Sequence, residues 1–254
     1  NIQKLIQRRE SILQQMAVSG FCCQEQIIRN LPALTDSFFP RDVRGIAAGQ
    51  PGIIVAAGPS LDRNIDCLSC SQGYAWTFAV DTSLRILRQR GIDAQFVVTK
   101  DPTERNRAHF EGLENLERQV LIFDPQIAPD IPPRFSGPKI CMPNRNHALH
   151  RYIDGLQLSE EDPLPHSTNV AIAAFNMAVA MGCDPIIFTG LDFCFSRGDG
   201  ASHAAFSALC SETHYTPEQG NLSYRRGGAG EDIQAIEVEG IDGRYYPTTP
   251  NFYE

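Results

Sequence analysis

The stretch PGIIVAAGPSLD, residues 51–62, decides how the rest of the chain is read. Its apolar run, Ile53 to Ala57, is short and β-branched at its start, which favours a buried strand over a helix. The run stops at Gly58-Pro59-Ser60-Leu61. Glycine permits a tight turn there, and Pro59 presets φ for the first turn of a helix. Ser60 can cap the free amides of that turn or leave them to an oxyanion. Two readings stay open at this point: an ordinary strand-to-helix turn, and a seat for phosphate.

Outward from that corner the chain alternates. Upstream, Ile2, Leu5, Ile6, Ile12, Leu13 and Met16 recur at helical spacing, and a second helical patch covers Gln24 to Leu31. Residues 1–44 read as a helical lead-in and residues 45–254 as one α/β domain. Downstream, strands are expected at 75–80, 95–99, 119–123, 139–142 and 185–189, with helices at 84–90 and 170–181. The helix from Val170 is almost wholly apolar, so burial on most sides is expected, and the strand from Pro185 is expected to be buried too. This alternation predicts a three-layer, Rossmann-like, doubly wound and mainly parallel sheet with right-handed crossovers. Glu212 to Gly230 reads as a polar loop in which Arg225 and Arg226 could clamp an anion, and 236–248 as a hairpin turning at Asp242-Gly243.

Asp81, Asp101, Asp124 and Asp192 each follow a predicted strand closely. Ligands of open parallel sheets bind beyond the carboxyl ends of the strands, so these aspartates could hold a ribose or a metal ion, or deprotonate a hydroxyl. The competing reading is that each merely caps a turn or helix. The net charge of -8 excludes a nucleic-acid or anionic-membrane surface but leaves room for one nucleotide. No apolar run approaches the roughly 20 residues needed to span a bilayer, and no signal peptide is evident. The eight cysteines lack a zinc pattern beyond the isolated Cys67/Cys70 pair, which suggests free thiols and a cytoplasmic protein. A start at Asn1 without Met, and an end at Glu254, read as a piece of something longer.

GPSLD (58–62), VDTSLRIL (80–87), FVVTKDP (96–102), HSTNVAIAAFNMAVAMGCDPIIFTGLDF (166–193) and Ser202-His203-Ala204 occur in this order. Together they resemble the MptE-like domain shared by bacterial motility accessory factors and the archaeal 6-hydroxymethylpterin diphosphokinase. The Gly-Pro-Ser-Leu turn is also similar to that of small bacterial sialyltransferases, whose fold the family is thought to share. The resemblance implies a nucleotide-dependent transferase, most directly a motility-accessory-type glycosyltransferase. Such an enzyme would move a CMP-linked, nonulosonic-acid-like sugar from a nucleotide-sugar donor to a protein hydroxyl, as on flagellin. It further implies that Gly58, Pro59, Ser60 and Leu61 cradle the donor phosphate and that Asp81 and Thr82 hold ribose or base. Ser167, Thr168 and Asn169 would add amides and helix dipole, with Gly190 in the same donor site. Asp101, Asp192 or His203 would be the catalytic base. An alternative implied by the same resemblance is diphosphate transfer from ATP, with Mg²⁺ on Asp101 or Asp192. A third is a nucleotide or nucleotide-sugar binding protein without turnover. Relatives often carry Gly where Ala56 stands and Gln-Asp-Leu-Ala where this chain has Leu191-Asp192-Phe193-Cys194.

Overall fold

The computed structural model describes residues 20–113, 116–143, 164–165, 167, 169–209, 213–216, 221–226 and 229–249. The lead-in begins with helical backbone over 20–29 (α1) and α2 (Leu31–Thr35). The alternating core follows as β1 (Gly52–Val55), α3 (Leu61–Ser71), β2 (Trp76–Val80), α4 (Asp81–Gln89), β3 (Phe96–Thr99), β4 (Val120–Phe123) and β5 (Lys139–Cys141). Then come α5 (Val170–Ala180) and β6 (Ile186–Thr189), a three-stranded sheet of β7 (Thr213–Thr216), β8 (Asn221–Arg226) and β9 (Ala229–Gln234), and the hairpin β10 (Ile236–Glu239) and β11 (Tyr245–Thr248). The predicted helix over residues 1–18 lies outside the described residues.

β1 to β6 form one six-stranded sheet in the order β5-β4-β3-β2-β1-β6, every pair parallel. The chain walks from β1 outward to β5 and then returns to the other side of β1 for β6. The strand order therefore reverses between β1 and β6, and the crevice at that reversal is where such sheets bind ligands. The register sets Ile54 beside Phe78 on one side and Phe188 on the other.

Two apolar layers sandwich the sheet. On one face Ile54, Phe78, Phe96 and Val98 pack against Ala174, Met177 and Ala178 of α5, with the Phe78 and Phe96 rings stacked at 4.6 Å. On the other, Ile53, Val55 and Ala79 pack against Leu61 and Ile65 of α3 and Ile86 and Leu87 of α4. Each such side chain, fully buried, contributes about 1.5–3 kcal/mol. The lead-in joins the core: Ile27, Leu34 and Phe39 pack with Leu121 and Phe123, and the Asn30 amide donates to Pro125 O and Ile127 O at 2.8 Å each.

Four expectations change. β6 is an edge strand of its sheet, with Ile187 and Phe188 48% and 44% exposed. It reads as buried from sequence because an apolar run does not reveal whether a second neighbour exists. Ile172 and Val179 of α5 are exposed for the same reason. α4 starts at Asp81 rather than Leu84, so the helix follows β2 with no intervening loop. Backbone pairing within 213–234 replaces the predicted polar loop, because alternate residues there serve a three-stranded antiparallel ladder. The 236–248 hairpin forms as expected, with Gly243 N donating to Gly240 O at 3.0 Å. Among the described residues no helix is long and apolar enough to cross a membrane, and Cys67 and Cys70 are free.

Candidate functional site

A cleft of about 250 Å³ opens at the carboxyl ends of β1, β2 and β6, beside the start of α5. Gly58, Asp81, Thr82, Asn169, Gly190 and Asp192 face it from those ends, and His203 closes it from the loop beyond β6. Two hydrogen bonds hold that loop in place: Ala204 N to Ala57 O at 2.8 Å and Ala205 N to the Asp62 carboxylate at 2.9 Å. The cleft shares Asp192, Phe193 and Cys194 with a second hollow of about 190 Å³ against the β10–β11 hairpin. Phe193 sits in this dividing wall at φ 52, a conformation L side chains rarely adopt and which concentrates at binding sites.

The Gly58–Leu61 corner differs from the phosphate cradle that the sequence suggests. Gly58 N donates to Gly190 O at 2.7 Å, Ser60 N to Asp192 Oδ2 at 2.8 Å, and Leu61 N to Gly58 O at 3.0 Å. Pro59 has no amide hydrogen. Every amide of the corner is thus engaged within the protein, and the anion at the start of α3 is the Asp192 carboxylate itself. The Ser60 side chain makes no capping bond, and the Leu61 side chain is buried in the core. Gly58 is required by this arrangement: a Cβ there would sit 2.6 Å from Gly190 O and against the Asp192 carboxylate. Gly190, at φ +68, is similarly closed in by Ala56 O.

The β2–β3 corner is arranged differently. Asp81 is buried at the first position of α4, with Thr82 N donating to Oδ1 and Thr99 Oγ1 donating to Oδ2, each at 2.8 Å. Burial raises its pKa to about 7, against the opposing pull of those two bonds, with Asp101 adding to the rise. Asn106 Nδ2 donates to Thr99 Oγ1 at 2.7 Å and to Asp101 O at 2.9 Å. Asp101 does not line the cleft; its carboxylate accepts from Thr103 N at 2.8 Å, the turn-capping role that competed with catalysis in the sequence reading.

Ser167 also stays off the cleft wall, held by Lys100 Nζ at 2.5 Å to its carbonyl and 3.0 Å to its hydroxyl. Burial lowers the Lys100 pKa and lifts that of Asp124 to about 6, and the two charges oppose both shifts. Asn169 caps α5, accepting from Ile172 N at 2.9 Å, while Thr168 lies outside the described residues. His203 shares a hydrogen bond between Nδ1 and Ser202 Oγ at 2.9 Å, and burial lowers its pKa. His109, buried at the end of the 3₁₀ turn Glu104–His109, has its pKa lowered to about 4, chiefly by burial, with His203 and Arg85 adding to the fall and Asp101 opposing it. Among the described residues its Nδ1 has no hydrogen-bond partner.

Thr99, Asn106 and His109 escape the sequence reading. Thr99 is a polar residue ending an otherwise apolar strand, which is a usable signal; Asn106 and His109 lie in a polar, arginine-containing turn that offers none. Among the described residues no group of three or more His, Cys, Asp or Glu side chains is placed to hold a metal ion. Asp101 and Asp192, the alternatives suggested for magnesium, each have one carboxylate oxygen accepting a backbone amide, from Thr103 N and Ser60 N respectively.

Comparison with known proteins agrees with this architecture. The structure of MAf glycosyltransferase from Magnetospirillum magneticum AMB-1 superposes with a TM-score of 0.58 at 17% identity, over 83% of this chain and 29% of that one. The likeness is one of fold, and the chain spans less than a third of that protein's length. No curated protein matches by sequence. The family model described as 6-hydroxymethylpterin diphosphokinase MptE-like matches residues 25–198, which takes in β1 to β6 and the cleft residues up to Phe195. The chain belongs to that MptE-like family.

Proposed function

We propose that the chain is a nucleotide-dependent transferase whose donor binds in the cleft between β1 and β6. The observation that carries this reading is the convergence of Asp81, Asp192 and His203 at the point where the strand order reverses. The volume of about 250 Å³ falls just under the roughly 300–1,000 Å³ typical of small-molecule sites. It suits part of a donor, with the adjoining hollow taking the remainder. The favoured donor is a CMP-linked, nonulosonic-acid-like sugar and the favoured acceptor a protein hydroxyl such as one on flagellin; the fold shared with a glycosyltransferase supports this choice.

Since the amides of the Gly58–Leu61 corner are engaged, phosphate recognition falls to the His203–Ser202 pair: with one proton held between Nδ1 and Ser202 Oγ, either the ring Nε2–H or the Ser202 hydroxyl is left to donate to a phosphate oxygen, according to the tautomer. Thr82 and Asn169 stand ready for ribose or base. A second reading, diphosphate transfer from ATP to a hydroxymethyl group, is supported by the description of the family. No step of either reading is routed through a metal.

A thermal-shift panel of CMP, CMP-N-acetylneuraminate and ATP, each with and without magnesium, tests the reading. A ligand at 100 times its dissociation constant stabilises by about 2.7 kcal/mol, several degrees for a chain of this size. Stabilisation by CMP and its sugar supports the glycosyltransferase reading. Tight ATP binding with indifference to CMP overturns it, and AMP release dependent on a hydroxymethyl pterin then establishes the second. Binding without turnover of any donor makes the chain a nucleotide-binding protein.

A further inference from the structure

Transfer to a hydroxyl needs a group that takes its proton. Of the three candidates from sequence, Asp101 does not line the cleft, whereas Asp192 and His203 do, Asp192 with Oδ2 accepting from Ser60 N and His203 with Nδ1 paired to Ser202. Asp81 lines the cleft, and each of its carboxylate oxygens accepts one internal bond. A carboxylate offers about four acceptor positions, so capacity is left over for a ligand.

The orientation of the groups behind Asp81 follows from simple donor and acceptor rules. The Asp101 carbonyl can only accept, so the Asn106 atom 2.9 Å from it is the amide nitrogen. That same nitrogen lies 2.7 Å from Thr99 Oγ1 and donates its second hydrogen there. The Thr99 proton is thereby directed to Asp81 Oδ2, 2.8 Å away. If Asp81 were protonated on that oxygen, the Thr99 hydroxyl would receive two donors and its own hydrogen would lose its acceptor. The chain Asn106–Thr99–Asp81 therefore selects the ionised carboxylate. Thr99 and Asn106 are wholly buried and touch nothing in the cleft.

We propose that Asn106 and Thr99 are positioning residues that hold Asp81 ionised towards the cleft, and that Asp81 is the proton acceptor of the transfer. The proposal rests on the transferase reading. In the step, the acceptor O–H bond breaks and its proton passes to a carboxylate oxygen of Asp81. The acceptor oxygen bonds to the anomeric carbon, and the bond from that carbon to the phosphate oxygen breaks, its electron pair leaving with CMP. Of the other titratable or charged groups, Asp101 acts on Asp81, Asp192 and His203 line the same cleft, and His109 interacts with Asp101, His203 and Arg85. Burial brings the Asp81 pKa to about 7, where a base for neutral pH is most effective.

The test follows Asp81 by ¹³C carboxyl NMR titration in the wild type, Thr99→Val and Thr99→Ser, alongside the pH profile of CMP release from CMP-N-acetylneuraminate. Asn106→Ala serves as the second variant should Thr99→Val fail to fold. Loss of the Thr99 donor is expected to raise the Asp81 midpoint by about 1 pH unit, with Thr99→Ser restoring it. The acidic limb of CMP release should move with it. Coincident midpoints overturn the relay. A shifted midpoint with an unmoved acidic limb overturns Asp81 as the proton acceptor. No CMP release from the wild type overturns that role together with the glycosyltransferase reading, and the NMR arm tells this failure from a failed relay.

Discussion

The two corners flanking the cleft handle a carboxylate in opposite ways: half-buried Asp192 on one side, fully buried Asp81 on the other. At the β1–β6 corner Asp192 accepts the Ser60 amide and closes the start of α3, with two glycines making room. At the β2–β3 corner Asp81 is buried at the start of α4 with its pKa raised to about 7, and among the described residues Asn106 Oδ1 behind Thr99 has no hydrogen-bond partner. The first corner is organised for stability. The second carries an electrostatic cost that folding alone does not explain, and such costs concentrate where ligands are handled.

The contrast breaks most visibly at Gly58. An added Cβ would meet the Gly190 carbonyl and the engaged Asp192 carboxylate, neither of which is the free end of a flexible side chain. Gly58→Ala is expected to destabilise by on the order of 3 kcal/mol, measured as a lower urea midpoint with an unchanged slope. A loss below about 0.5 kcal/mol would show that the corner yields and that its closure is not structural.

Matched substitutions of the two aspartates should then move stability in opposite directions. Asp192→Ala removes the acceptor for Ser60 N and should cost about 1 kcal/mol, as a lost helix cap does. Asp81 behaves otherwise. Its folded-state pKa is raised from 3.8 to about 7, so the folded protein holds a proton there that the unfolded chain has released. Its contribution is most favourable below pH 4 and is lost as pH rises to about 7. Asp81→Asn has no such dependence. It should therefore gain on the wild type across that window and exceed it by about 1 kcal/mol or more at pH 8. Urea unfolding at pH 4, 6 and 8 checks both; a variant that is less stable than wild type at pH 8 sinks the idea of a costly carboxylate.

Much of this architecture was legible in the sequence because it depends on local pattern. Ile53-Ile54-Val55 and Phe96-Val97-Val98 report burial directly, and glycines at 91 and 182 mark helix ends, with φ +66 and +83. The gathering of Asp81, Asp192 and His203 followed from the rule that strand ends share one side of a parallel sheet. What escaped depends on partners far apart in the chain. The partner of the Ser60 amide was not legible because it lies 132 positions away in the chain. Asp101 looked equivalent to Asp81, yet one lines the cleft and the other turns to Thr103. Neither the edge position of β6 nor the pairing of β7 to β9 is written in composition, since both require knowing which strand lies next.

The smallest expected effect concerns His109, and it sharpens the contrast by its sign. Its pKa falls from 6.5 to about 4, so between those values the unfolded chain binds a proton that the folded protein refuses. Its contribution is complete above pH 6.5 and is lost as pH falls towards 4. Asp81 and Asp124, raised to about 7 and about 6, act the other way over much of the same range, and His203, also lowered, acts with His109. The two carboxyls and the two histidines oppose one another in sign, so the wild-type stability curve should be shallower between pH 4.5 and 6.5 than either set alone would make it. Replacing His109 by Gln removes one of the two terms that favour higher pH. The variant should therefore become more stable than the wild type as pH falls through this window, with the difference vanishing above pH 7 apart from a constant offset. A pH series of urea midpoints for the two proteins measures it, and parallel curves would mean that His109 is as readily protonated when folded as when unfolded.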